Sequence, residues 1–147
     1  MGSNDSRAGT MSFINWSDFY RVGVAEIDAD HERLAGMINR IHDELYGGAN
    51  DDRQQRLFAM LSEATRHHFA REESFFDSTH YPAAEHHRRL HADLKQRLDA
   101  FQANRRKASD PTVLLAAELA FLRFWLLDHI VKEDKELGAH LNSCGIR

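Results

Sequence analysis

Ten histidines in 147 residues are the part of this sequence with the most chemistry to offer. Two pairs stand four residues apart: His68 with Glu72, and His87 with His91. Residues four apart on an α-helix differ in direction by about 40°, so each pair presents two side chains to one point. Neutral imidazole and carboxylate are good metal ligands, and imidazole suits Zn, Cu, Fe and Ni alike, so the residue types do not name the ion. One histidine in a core is ordinarily a hydrogen-bonded structural residue. Several meeting in one layer are a metal site, because burying that many polar groups without partners would cost several kcal/mol.

Whether they meet depends on the helices that carry them. The chain is rich in Leu and Ala, holds only Pro82 and Pro111 as prolines, and has no long alternating run of Val, Ile and Thr, which predicts an all-helical protein. A first helix is expected from about Asp30 to Tyr46, stopped by Gly47-Gly48-Ala49-Asn50. A second runs from Asp52 to about Ser78, with Tyr81-Pro82 marking the break. A third spans roughly Ala83 to Arg105. Asp110 as N-cap and Pro111 in the first turn open a fourth, which runs to about Leu137, near Gly138. Four such helices joined by short loops predict an all-α, up-down-up-down antiparallel four-helix bundle. Phe13 to Ile27, aromatic but not periodic, reads as an extended N-terminal arm packed over it. Residues 1–12 read as a disordered leader, 13–140 as the bundle and 141–147 as a C-terminal tail.

Each helix has an apolar stripe at three- and four-residue spacing. The first gives His31, Leu34, Ile38, Ile41 and Leu45. The second gives Leu57, Leu61, Ala64, His68, Glu72 and Phe75. The third gives His87, His91, Leu94, Leu98 and Phe101. The fourth gives Leu115, Leu119, Leu122, Leu126 and His129. Every stripe runs into histidine at one end. In an antiparallel bundle the start of the first helix lies beside the end of the second, the start of the third and the end of the fourth. All five histidines therefore fall in one layer. Five imidazoles and at least one carboxylate exceed what one ion needs, and two ions bridged by carboxylate fit the count.

Composition excludes several other readings. Acids and bases are interspersed around a net charge of −4, with no basic stripe for nucleic acid. No apolar run approaches the roughly 18 residues of a membrane span, and no signal peptide is visible. A single cysteine, Cys144, leaves no disulfide framework and no cysteine-based metal site, so the expected compartment is the cytoplasm.

At these residues the sequence resembles the hemerythrin family, in particular its bacterial single-domain members. The signatures are Gly23-Val24 through Ile27-Asp28 to His31; His68-Phe69-Ala70-Arg71-Glu72-Glu73; Tyr81-Pro82 leading to His87 and His91; and Trp125-Leu126-Leu127-Asp128-His129-Ile130 through Asp134. They cover about residues 13 to 140. A lone pair of this kind is a weak signal, but four blocks in order are specific. The resemblance implies two non-haem irons. One would be held by His87, His91 and His129 and the other by His31 and His68, with Glu72, Asp134 and an oxo or hydroxo group bridging them. It also implies reversible O2 binding at an open position on the second iron.

Periodicity and resemblance differ at one point. Glu133 lies four residues after His129 and shares its face; Asp134 lies five after, about 140° away. Helical spacing alone selects Glu133, whereas the family pattern selects Asp134, which predicts a local distortion at the end of the fourth helix or a bridge reached from the side. Leu126, Ile130 and Phe69 flank the ligands; plain core packing is the favoured reading of each, and the functional alternative is a dry pocket over the open position. His67 and His86 point off the stripe, His42 reads as core-edge or surface, and His80 and His140 as loop and tail. Three functions compete: O2 carriage, storage or delivery; a di-iron oxidase, peroxidase or nitric oxide reductase; and an O2- or redox-sensing module of a larger signalling protein. The Glu-x-x-His pairs of ferritin-like di-iron enzymes are missing from the sequence, and no general base stands apart from the ligands, so an O2-binding protein rather than an enzyme is expected.

Overall fold

The computed structural model describes residues 12–147. All but the last residue of the expected leader therefore lies outside the described residues. The elements are α1 (Ala25–Tyr46), α2 (Asp51–Thr79), α3 (Ala84–Arg105), α4 (Pro111–His129), a π-helical segment (Ile130–Asp134) and α5 (Lys135–Ser143). No strand occurs among the described residues. α1 packs on α2 and α4, and α3 closes the ring against the same two, giving the four-helix bundle. No helix is long and apolar enough to cross a membrane among these residues.

The helix starts follow local chemistry. The Asn50 side chain accepts from the Arg53 backbone N–H at 2.8 Å, and Asp110 accepts from Val113 N–H at 3.2 Å with Pro111 in the first turn. α1 begins five residues earlier than expected, at Ala25 rather than Asp30, because its cap runs in reverse. Val24 at the N-cap makes no side-chain bond; instead Asp28, inside the helix, accepts from the backbone N–H of Val22 (2.7 Å) and Gly23 (3.3 Å). A search for a polar N-cap passes over this arrangement. α2 ends where His80 takes up the left-handed conformation, φ 51°, just before Tyr81-Pro82.

The N-terminal arm is held by Asn39, whose amide bonds both the Ile14 N–H (2.6 Å) and the Ile14 carbonyl (3.0 Å). Ile14, Val22 and Val24 are buried, and a single 3-10 turn, Asp18–Tyr20, interrupts the arm.

The fourth rod does not stop near Gly138. It continues to Ser143, so Leu141, expected to open a tail, is fully buried. Gly138 serves close packing rather than termination: a Cβ there would stand 2.1 Å from the Val22 carbonyl oxygen. Asn142 completes this contact by donating to the Gly23 carbonyl at 2.9 Å. α5 thereby ties the end of the chain to the arm, beside the start of α1.

Candidate metal centre

Seven side chains converge in one layer near that end of the bundle. α1 contributes His31, α2 His68 and Glu72, α3 His87 and His91, α4 His129, and the π-helical segment Asp134. None is more than 5% exposed. They form two groups whose ligand atoms lie within 4.8 Å of one another: Glu72, His87, His91 and His129; and His31, His68, Glu72 and Asp134.

The two carboxylates divide their oxygens between the groups. Glu72 Oε1 stands 3.1 Å from His91 Nε2 and 3.4 Å from His87 Nε2, while Oε2 stands 3.2 Å from His68 Nε2 and 3.6 Å from His31 Nε2. Asp134 Oδ1 is 3.1 Å from His87 Nε2 and 3.2 Å from His129 Nε2, and Oδ2 is 2.9 Å from His31 Nε2. Two ligands about 2.1 Å from one ion and at right angles to each other stand about 3.0 Å apart, so these spacings suit neighbouring ligands of a metal.

Hydrogen bonding among the residues themselves does not account for the cluster. His31 Nδ1 and Nε2, His91 Nε2, both oxygens of Glu72 and both of Asp134 are buried without a hydrogen-bond partner. The short contacts between them point the wrong way, and His87 Nε2 faces His129 Nε2 at 3.1 Å. A carboxylate oxygen left so in a core costs several kcal/mol. Cations placed between the carboxylate oxygens and the imidazole Nε2 atoms satisfy every one of these atoms except His31 Nδ1, which points away from the centre, so the donor set fits a pair of metal ions.

The protonation states carry the same message. Burial opposes charge on His31, but the Asp134 and Glu72 carboxylates override it and push His31 up to about 10. His87 is driven to about 9 against burial by the same two groups. His68 is also raised against burial, by Glu72 and Asp30. His91 is lowered by burial and by the neighbouring His87 and His129, despite Glu72. Glu72, against its burial, is held well below the usual carboxylate range by His68 and His31. Asp134 is lowered likewise by His129 and His31, against both burial and repulsion from Glu72. Two buried anions need positive charge beside them, and without metal protons supply it.

The distortion anticipated at the end of the fourth helix is the π-helical segment Ile130–Asp134. A π-turn accommodates one extra residue, which returns the fifth position by roughly one residue's rotation, about 100°, toward the face of His129. Asp134 is 1% exposed as a result, whereas Glu133 turns outward to His86 Nε2 at 3.4 Å. Single π-turns of this kind occur frequently at functional sites.

Two supporting residues lie off the apolar stripes. His68 Nδ1 stands 2.9 Å from Asp30 Oδ2, and the Arg71 guanidinium holds the same oxygen at 2.9 Å. His91 Nδ1 stands 3.2 Å from Glu73 Oε2. A carboxylate can only accept, so Nδ1 carries the proton and Nε2 keeps its lone pair toward the centre. Both acids adjoin a ligand in sequence, Asp30 before His31 and Glu73 after Glu72, and a one-residue offset takes them off the apolar stripe. Partners placed next to a ligand but serving a different helix leave no periodic signal.

Rings pack the outer side of the three-histidine group. Phe69 stacks on His91 (centroids 3.8 Å, 8° between planes), and half-buried Trp125 stacks on His129 (4.4 Å, 12°). Beyond the ligands lies a narrow apolar cavity of about 30 Å³ whose lining includes Leu34, Thr65, Phe69, Leu94, Trp125 and Leu126. Phe69 and Leu126 thus line it; Ile130, fully buried, does not. Of the other histidines, His67, His80 and His86 are exposed, and His42 stacks on Phe13 (centroids 4.2 Å). His140 sits on α5, where its Nε2 meets the Thr79 carbonyl at 3.2 Å.

Four antiparallel helices around a buried layer of imidazoles that share two carboxylates define a class: bundle proteins built to hold two metal ions. Residues 22–141 match the family model described as Hemerythrin HHE cation binding domain, and the chain belongs to the hemerythrin family. It is 27% identical to the bacteriohemerythrin of Pseudomonas aeruginosa strain PAO1 over 125 residues, which is 84% of this chain and 78% of that one. It is 27% identical over 141 residues to that of Stenotrophomonas maltophilia strain R551-3, covering 90% and 86%. The myohemerythrin of Riftia pachyptila is 26% identical over 126 residues, 86% of this chain and 92% of that protein. Among solved structures, wild-type hemerythrin superposes with a TM-score of 0.78 at 24% identity, over 88% of this chain and 98% of the other. The family is one of O2-binding proteins with a di-iron centre.

Proposed function

We propose that this chain binds O2 reversibly at a di-iron centre, and that its role is carriage, storage or delivery of O2 rather than turnover. The observation that carries the reading is the unequal division of the ligands. Three imidazoles (His87, His91, His129) stand on one side of the shared carboxylates and two (His31, His68) on the other. With Glu72 and Asp134 each offering one oxygen to either side, five protein donors would hold one metal ion and four would hold the other. The His31–His68 side then keeps a place for a small ligand, by the logic that separates catalytic from structural metal sites.

Iron, when bound there, supplies the electrons that make O2 uptake and release possible. The rest is done by the chain. Asp30 and Glu73 fix the tautomers of His68 and His91. Phe69 and Trp125 immobilise the rings of His91 and His129. The cavity of about 30 Å³ exceeds the roughly 10–15 Å³ one water needs but offers it little to bond, so it favours a small apolar molecule over water. Leu126 and Phe69 in its wall keep the layer dry, which opposes loss of the bound ligand in charged form.

The test is anaerobic reduction of the iron-loaded protein, followed by O2 and then its removal, with the visible spectrum and iron content recorded. Two irons per chain and an absorption band that comes and goes with O2 are expected. Rapid irreversible oxidation, or fewer than one iron per chain, overturns the proposal.

A further inference from the structure

At the end of the bundle remote from the metal layer, a second cleft of about 250 Å³ opens between the start of α2, the end of α3 and the start of α4. Phe58 in its lining lies fourteen residues before Glu72 on the same helix, about 21 Å away along the axis. The cleft shares no residue with the metal layer and serves no step of O2 binding.

Arg105 dominates its chemistry. It is 7% exposed, yet only Nη2 of its guanidinium has acceptors among the described residues: Asp51 Oδ1 at 2.8 Å, the Asp51 carbonyl at 3.4 Å and Gln54 Oε1 at 2.8 Å. Nε is buried with no partner. Nε has no accessible surface for a cleft ligand to reach, but Nη1, which also has no acceptor among the described residues and is not fully buried, leaves a cationic donor where an oxyanion would be welcome. Arg106, Gln55 and Gln102 add further donors to the lining, while Phe58, Ala108 and Pro111 give it an apolar part. Arg105 and Arg106 against Asp51 leave one net positive charge, which a monoanion balances. The volume lies below the roughly 300–1,000 Å³ of sites for drug-sized ligands, so the occupant is small.

We propose that this cleft binds a small organic monocarboxylate, its carboxylate held by Arg105, Arg106 and Gln102 and its apolar body resting on Phe58 and Pro111. The probe is sodium benzoate, titrated calorimetrically into the iron-loaded 147-residue chain, with sodium chloride as the blank and inorganic phosphate as a second arm. Benzoate is expected to saturate one site per chain with a Kd on the order of 1 mM. R106Q and Q102L should each weaken it by about tenfold, the loss of one hydrogen bond to a charged group. Arg105 is left intact, because its replacement threatens folding. A non-saturating heat, binding that neither variant changes, or phosphate binding as tightly as benzoate overturns the proposal. O2 binding is measured on the same samples and is expected to be unchanged by either variant, so the two readings stand or fall separately.

Discussion

Replacing Asp134 and Glu133 separately by alanine sets helical periodicity against the π-turn. Asp134 has Oδ1 3.1 and 3.2 Å from His87 and His129 and Oδ2 2.9 Å from His31, so under the proposed bridging role its loss would strip one ligand from each metal position at once. Changing a residue that merely orients a ligand lowers metal affinity about 10–100-fold. Losing a ligand to both ions should exceed about 100-fold, or more than about 2.7 kcal/mol. Glu133 offers only a half-exposed contact to an exposed His86 at 3.4 Å, a pair worth about 0–1 kcal/mol. The assay is iron per chain after dialysis of both variants and the parent against graded chelator. Circular dichroism of the metal-free forms shows that each has folded. Glu133→Ala should retain iron as the parent does, and Asp134→Ala should lose it at chelator concentrations the parent withstands. Iron lost from Glu133→Ala but kept by Asp134→Ala would refute the assignment of the bridge.

Asp30→Ala removes the acceptor for His68 Nδ1 and should lower metal affinity by about 10–100-fold with little change in helix content; unchanged iron retention would make the pair incidental. In the metal-free protein the pKa values of His31, about 10, and His87, about 9, lie above the ordinary 6.5. Their contribution to stability is complete below about pH 6.5 and is lost as pH rises through 9 and 10, so chemical denaturation of the metal-free chain should show stability falling between pH 7 and 10. By the same linkage, metal binding at pH 7 should release about two protons, and a pH-indicator titration showing none would contradict it. Leu126→Ala should destabilise by about 2–5 kcal/mol and speed autoxidation; a lowered melting point with unchanged autoxidation would leave Leu126 a packing residue only. Gly138→Ala drives a Cβ to 2.1 Å from the Val22 carbonyl oxygen and should cost about 1–3 kcal/mol in thermal melts, an effect that an unshifted melting point would exclude.

Much of the centre was legible because its chemistry obeys helical periodicity. His31, His68, Glu72, His87, His91 and His129 each continue an apolar stripe, and short loops between long helices leave antiparallel packing as the simple way to bury four stripes together. Residues that break the period were harder. Resemblance points to Asp134 where spacing points to Glu133, since a π-turn adds one residue that no hydrophobic pattern records. Asp30 and Glu73 each adjoin a ligand on their own helix while serving a histidine on another, so no local pattern reveals them. The start of α1 precedes the one a polar N-cap predicts, because its cap, Asp28, reaches back from inside the helix.

The sequence by itself determined the class of fold and the identity of the imidazoles, because both follow from which side chains share a face of one helix. Only the tertiary structure decided how the carboxylate oxygens divide between the two groups, which acid the distorted turn delivers, and why Gly138 continues a helix instead of ending it. Those are distances between elements far apart in the chain. They come from the packing of whole helices and from the one backbone irregularity that packing supports, neither of which is written in the period of any single segment.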